Sequence, residues 1–227
     1  MADATQGPSS SSALVLAGTR GRDRAALPAA AVLVGVACFW IAILVAAALE
    51  PGYTHRRDYV STLAAHGAGH AGLAMFAIVA AGAAMLFASL LLRPVSRAAG
   101  VAVALAGVGF VIAAFTRLDC PNGAAACGLG GRFEVSGSTE IGHWTTTTVS
   151  TALLIAGIVL TGVALLRRGR TAAGLATLAA AAVTAGALLA TGGESPGVSQ
   201  RVGIVVATAW IAAVALASIA RSRAAQA

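Results

Sequence analysis

The sequence predicts an all-α, polytopic integral membrane protein: a compact bundle of six transmembrane helices behind a short disordered N-terminal tail. Three observations predict it. Six apolar stretches, at 28–49, 71–92, 98–115, 141–166, 171–191 and 202–220, hold no charged residue in their interiors, and each approaches the ~20 helical residues that cross a hydrocarbon core. Hydrophobic residues make up 58% of the 227 and charged residues 10%, which is a membrane composition. No segment between the stretches is long enough to bury a core of its own. The expected organisation is therefore a tail at 1–27, a transmembrane domain at 28–220 and a second tail at 221–227.

The formal charge of +7 comes from fifteen arginines against eight acids, with no lysine. Ten arginines lie in the tails and even-numbered loops (Arg20, Arg22, Arg24, Arg93, Arg97, Arg167, Arg168, Arg170, Arg221 and Arg223), and five in the odd-numbered loops (Arg56, Arg57, Arg117, Arg132 and Arg201). Under the positive-inside rule this split puts both termini in the cytoplasm and the loops after helices one, three and five outside. The basic charge thus reports orientation, and nucleic-acid binding has no support.

Residues 1–26 include the run Ser9-Ser10-Ser11-Ser12, a composition too poor in apolar surface to order itself, and are read as a cytoplasmic tail. In the first stretch Cys38 is a small apolar packing residue. Ala46-Ala47-Ala48 resembles a signal-peptide cleavage site, but the apolar run before it exceeds a signal h-region, so an anchor is expected. The first outer loop, 50–70, contains Asp58 and Ser61, spaced as an N-cap and first-turn residue or as two polar groups on one helical face. His66 and His70 are four apart, a spacing that lets two imidazoles share a metal on a helix. Gly67 and Gly69 weaken such a helix and favour an interfacial turn.

The second and third stretches are rich in alanine and glycine, which lets helix backbones approach closely in lipid. In the loop that follows, Cys120 and Cys127 flank a Pro-Asn-Gly turn, and an oxidising exterior would join them as a disulfide, two free thiols being the alternative. Glu140-Ile141-Gly142-His143 opens the fourth stretch and sets a carboxylate and an imidazole on one face, as metal ligands or an acid/base pair. Thr139, His143, Thr147 and Thr151 continue this as a polar stripe into the membrane, although threonine hydroxyls on a helix also bond their own preceding turn. Trp144 is expected as an interfacial aromatic anchor, with Trp40 and Trp210 packed deeper between helices. Arg201 opens the sixth stretch, where its fork suits a lipid phosphate or an outer carboxylate.

Several of these pieces together resemble a known family. Pro51-Gly52-Tyr53-Thr54-His55 followed by Asp58-Tyr59-Val60-Ser61-Thr62-Leu63, the Asp119-Cys120-Pro121 loop, the His143 helix entry and Gly197-Val198-Ser199-Gln200-Arg201 are similar to the bacterial membrane family catalogued as domain of unknown function 998. The resemblance covers nearly all of the chain beyond residue 27 and implies a six-helix fold in a bacterial plasma membrane. Members usually carry a Ser-Glu-Leu-Gly type sequence where this chain has Ser61-Thr62-Leu63-Ala64, so the carboxylate beside Ser61 is missing. The resemblance implies no activity, substrate or cofactor.

Three functional classes are compatible with these residues. The least demanding is a non-catalytic membrane partner, scaffold or envelope component in contact with membrane lipids, other membrane proteins or further copies of itself. The alternative is a metal-dependent hydrolase or transferase acting on lipid headgroups at the outer leaflet, using Asp58, Asp119, Glu140, His143 and Arg201, with His66 and His70 as further ligands of a divalent metal such as zinc. The third is a carrier of a neutral or lipidic solute, which needs no charge at membrane depth. No motif demands a cofactor. Asp58, Asp119, Glu140, His143 and Arg201 are expected to gather at the outer mouth of the bundle, with Arg201 as hub holding two carboxylates. Reporter fusions after Ala98 and Thr171 should report the cytoplasm and one after Gly130 the exterior; the reverse pattern would overturn the orientation.

Overall fold

The computed structural model describes residues 10–119 and 138–224, with side chains described from residue 26 onward. Cys120 and Cys127, and with them the expected disulfide, lie outside the described residues. Among the described residues six α-helices follow one another: α1 (Ser10–Leu49), α2 (Ala71–Leu92), α3 (Arg97–Ala113), α4 (Ser138–Arg167), α5 (Thr171–Leu189) and α6 (Pro196–Ala224). α1 begins within the segment expected as a tail; the Ala-Leu-Val-Leu-Ala run at 13–17 has good helix propensity. Its membrane-length apolar part is Ala26–Leu49.

Five of the helices are long and apolar enough to cross a membrane, and α3, at 17 residues, is shorter. Its hydrogen bonding nevertheless continues past Ala113, with the amides of Ala114 and Thr116 donating to Phe110 and Ile112. That extra turn brings α3 to the end of the apolar stretch expected at 98–115. The protein is a multi-pass membrane protein by these apolar helices. Their outward faces carry exposed Ile41, Leu44, Phe76, Phe87, Leu105 and Leu175, a surface that water would not tolerate over such an area.

Each helix packs against its neighbour in sequence, α6 returns to α1, and α2 also touches α6, so the six close into a ring. Missing side chains let the ring close. A Cβ on Gly82 of α2 would stand 2.7 Å from the Gly107 carbonyl oxygen of α3, and one on Gly107 would stand 2.7 Å from the Gly82 carbonyl. Gly35 does the same for α1 against α2, where a Cβ would meet the Ala80 oxygen at 2.9 Å, and Gly157 for α4 against Val103 of α3. Gly162 and Gly174 admit the leucines of the facing helix where α4 meets α5. Across the remaining seam, Trp40 Nε1 of α1 donates to Thr208 Oγ1 of α6 at 3.1 Å.

The two ends of the ring differ. At one end, called here the arginine-rich end, the turns are short: Ser96 caps α3 by accepting from the Ala99 amide, and Arg168 Nη2 donates to the carbonyls of Pro94 and Val95 at 2.9 and 2.8 Å. The interior on that side is filled by Val32, Leu92, Val103, Ile158, Trp210 and Ile211, all buried. At the loop-rich end the 50–70 segment folds back onto the bundle, and the axis beneath it is hollow.

The glycine seams predict a contrast. Gly82→Val should destabilise the solubilised protein by about 1–3 kcal/mol, because a carbonyl oxygen cannot move aside as a side chain can. Gly186→Ala, where an added Cβ meets nothing within 4 Å, should leave thermal unfolding unchanged or slightly raised. Equal melting temperatures for Gly82→Val and wild type would contradict the ring packing.

Candidate functional site

The roof of the hollow is the first long loop. A tight turn at Gly52, with φ 77°, brings Thr54 beside Asp58. The Asp58 Oδ2 then accepts from the Thr54 amide at 2.6 Å and from its hydroxyl at 3.0 Å, while the Asp58 amide donates back to Thr54 O at 2.9 Å. This reciprocal pairing stiffens residues 54–58 and delivers the chain into a single 3-10 turn, Val60–Ala64. Tyr59, Val60, Thr62, Leu63, Ala64 and Ala65 are buried there, packed down onto α1 and α2, with Ser61 half-buried among them.

Two arginines clamp the roof by its carbonyls. Arg201 at the start of α6 donates from Nη1 to the oxygens of His55 (2.8 Å), Asp58 (3.0 Å) and Gly197 (2.8 Å), and from Nη2 to the Tyr53 hydroxyl. Its guanidinium also lies 5.4 Å from the Tyr53 ring centroid, within cation–π range. Arg117 puts Nε on Ala64 O and Nη2 on Ala65 O, both at 2.7 Å. Between the clamps the Val60 amide donates to Gln200 Oε1 at 2.6 Å, the Tyr59 hydroxyl to Thr191 O at 3.0 Å, and the Gly197 amide to Arg56 O at 3.1 Å. Gly197 must be glycine for this approach: a Cβ would stand 2.5 Å from Asp58 O and 2.6 Å from His55 O. Burial raises the Tyr53 phenol to about 12, against the opposing pull of Arg201, and raises that of Tyr59 as well.

Below the roof is a cavity of about 160 Å³ to which all six helices contribute. Phe39, Ile78, Ala81, Met85, Phe110, Leu154, Ile204 and Ala207 make most of its wall apolar. A polar strip crosses it: His143, Thr147 and Thr151 of α4, Thr184 and Thr191 near the end of α5, Gln200 and Thr208 of α6, and Ser61 above. On α4 the lining runs from His143 to Leu154, about three turns or ~16 Å of depth. Thr148 both lines the cavity and is exposed on the outside of the bundle. Toward the arginine-rich end it stops against the packed interior.

His143 is 3% exposed. Its Nδ1 lies 2.6 Å from Thr116 O and 3.3 Å from Ala113 O; carbonyls only accept, so Nδ1 carries a hydrogen and satisfies the last turn of α3. The threonines of the strip bond their own helix, Thr147 to His143 O at 2.7 Å and Thr151 to Thr147 O at 2.8 Å. Trp144, expected as an interfacial anchor, instead turns inward, its ring edge-to-face with Tyr59 at 5.5 Å. The buried roof gives that indole an apolar partner inside the bundle. Trp40 and Trp210 pack between helices as expected.

The five residues expected as one cluster are joined in two sets. Arg201 sits against Asp58, but at its backbone oxygen, since the Asp58 carboxylate is engaged with Thr54. Asp119 accepts from the Thr139 hydroxyl at 3.3 Å, at the start of α4, one turn before His143 and beside Glu140. The Tyr59–Trp144 ring contact links the sets. His66 and His70 are exposed on the turn leading into α2, and no group of three His, Cys, Asp or Glu side chains among the described residues is placed to hold a metal. The Arg117 fork and the convergence of Thr184 and Thr208 with the α4 stripe escaped sequence reasoning; the i, i+4 threonines were the one signal pointing inward.

Ring, roof and cavity thus define a polytopic membrane protein with an internal, roofed apolar site. A family model described as protein of unknown function DUF998 matches residues 33–217, and the chain belongs to that family. No curated protein and no solved structure matches it.

Lysine cannot span the carbonyls that the Arg201 fork holds. Arg201→Lys should therefore lower hydrogen-exchange protection of the amides of residues 58–65 by about tenfold or more while leaving the α2 and α3 amides protected; unchanged protection would dismiss the clamp. In wild type the fold favours the neutral Tyr53 phenol, so its stabilising contribution is complete below the ordinary tyrosine value of 10.0 and lost as pH rises toward about 12. An ultraviolet difference titration against Tyr53→Phe should show that late ionisation.

Proposed function

We propose that the protein is a non-catalytic membrane protein whose role is to hold an apolar molecule, a membrane lipid or lipidic solute, in the roofed cavity. One observation carries the reading: a mostly apolar cavity, lined from all six helices, has the surface-exposed Thr148 in its wall. Ligand sites are concave, largely apolar and oriented by a few polar groups, and an opening beside Thr148 among lipid-facing helices would give access to molecules dissolved in the bilayer. The polar residues at the loop-rich end support it too. Arg201, Arg117, Asp58 and Gln200 hold the roof, a structural task, and His143 Nδ1 serves α3. The arginine distribution favours both termini in the cytoplasm, with the roof at the outer leaflet.

The test is lipid analysis of protein extracted with its native bilayer. One lipid class should co-purify near one per protein, enriched over the bulk membrane. Ala81→Phe with Ala207→Phe, which fill the cavity from α2 and α6, should abolish that enrichment in protein that remains folded by thermal melting. A wild-type lipid profile identical to the bulk membrane would refute the reading.

A further inference from the structure

The chemistry of the polar strip narrows what the cavity accepts. Four threonine hydroxyls on it are committed as donors within their own helix: Thr147 to His143 O, Thr151 to Thr147 O, Thr184 to Ala180 O and Thr208 to Ile204 O, all at 2.7–2.8 Å. A hydroxyl that has donated its hydrogen offers only lone pairs to a guest. His143 adds another acceptor. Its ring is almost wholly buried, lines the cavity, and is fixed by Nδ1 on the carbonyls of Thr116 and Ala113. Nε2 makes no hydrogen bond to any described residue, and an imidazole nitrogen in the wall of a mostly apolar cavity is stabilised by a guest that supplies a donor. At the roof the Gln200 amide, whose oxygen is taken by the Val60 amide, and the Ser61 hydroxyl can donate in return.

From this arrangement we infer that the cavity recognises a neutral lipid by a free hydroxyl head, an alcohol that donates to His143 Nε2 beside the Thr147 and Thr151 lone pairs. The inference rests on the lipid-holding role proposed above and specifies its ligand class. An anionic head is disfavoured beside His143: Nε2 and the Thr147 and Thr151 oxygens are acceptors, Glu140 lies one turn from His143, and the nearby cations Arg201 and Arg117 are bound to roof carbonyls. An uncompensated charge in such surroundings is expensive. Size agrees. A cavity of about 150 Å³ admits a benzene-sized group, so ~160 Å³ takes a head and its first carbons, and the rest of the chain leaves past Thr148 into the bilayer.

The test uses the full chain in phosphatidylcholine nanodiscs and three competitors of one chain length: hexadecanol, its methyl ether and hexadecanoate. Hexadecanol should bind about five- to tenfold tighter than the ether, the worth of one buried hydrogen bond, and hexadecanoate weaker than the alcohol. His143→Asn keeps an amide that can reach Thr116 O but has no atom at the Nε2 position, so it should bring the alcohol down to the level of the ether. Thr151→Val should narrow the gap by a smaller factor. Equal binding of alcohol and ether by wild type would overturn the inference while leaving lipid binding intact, as would tightest binding of the carboxylate. Binding of none of the three would sink both. Because the ligand comparison is made on wild type, it decides even if His143→Asn does not fold.

Discussion

The grip of Arg201 on the carbonyls of His55 and Asp58 is the contact on which the loop-rich half of this protein depends. The Asp58 and Gly197 carbonyls are partly buried against the bundle and need donors there. One guanidinium supplies several donors in a rigid plane, and its bonds to the part-buried Asp58 and Gly197 oxygens are charge-assisted. Arg117 repeats the device at Ala64 and Ala65. With both ends clamped, the 3-10 turn between them lies flat over the ring as a lid with a defined height. Gly197 sets that height, since only a residue without Cβ lets the α6 start approach the loop oxygens so closely.

The hollow beneath exists because roof and walls are held apart by different forces. Glycine contacts fix the spacing of neighbouring helices, and packed Leu92, Ile158 and Ile211 fill the axis at the arginine-rich end. At the loop-rich end, Ala81, Ala113, Gly203 and Ala207, with threonines, stand among the larger apolar side chains of the wall. Those side chains cannot meet across the axis. A void of this kind forfeits dispersion contacts unless something occupies it. The proposed function rests on the same asymmetry: a filled half that anchors the ring, and a hollow half with room for a guest.

Much of this was legible in the sequence. The second stretch matches α2 at both ends, because nothing charged interrupts it and Arg93 follows. α4 and α6 begin earlier than the apolar pattern did, at Ser138 and Pro196, because polar residues continue a helix that hydropathy alone cuts short. The nearness of Arg201 to Asp58 was expected, but its attachment to a backbone oxygen was not: side-chain pairing can be read from charges, whereas a carbonyl belongs to every residue and marks none. The cavity was illegible for a related reason. Thr147, Thr184 and Thr208 lie on three helices, and only the closure of the ring brings them to one wall; the back-bonding that empties their hydroxyls of donors was foreseen on α4 alone. Trp144 was misjudged because its partner, Tyr59, arrives from a loop whose fold no periodicity announces.

The most direct check on this account is an experimental density map of the protein in a lipid nanodisc. The account predicts residues 54–64 seated over the ring with Arg201 on the His55 and Asp58 carbonyls, and an elongated non-protein density running from His143 past Thr148 to the bilayer. A map with the loop lifted off the bundle, or with the helices collapsed so that α4 and α6 side chains fill the space below Tyr59, would contradict it.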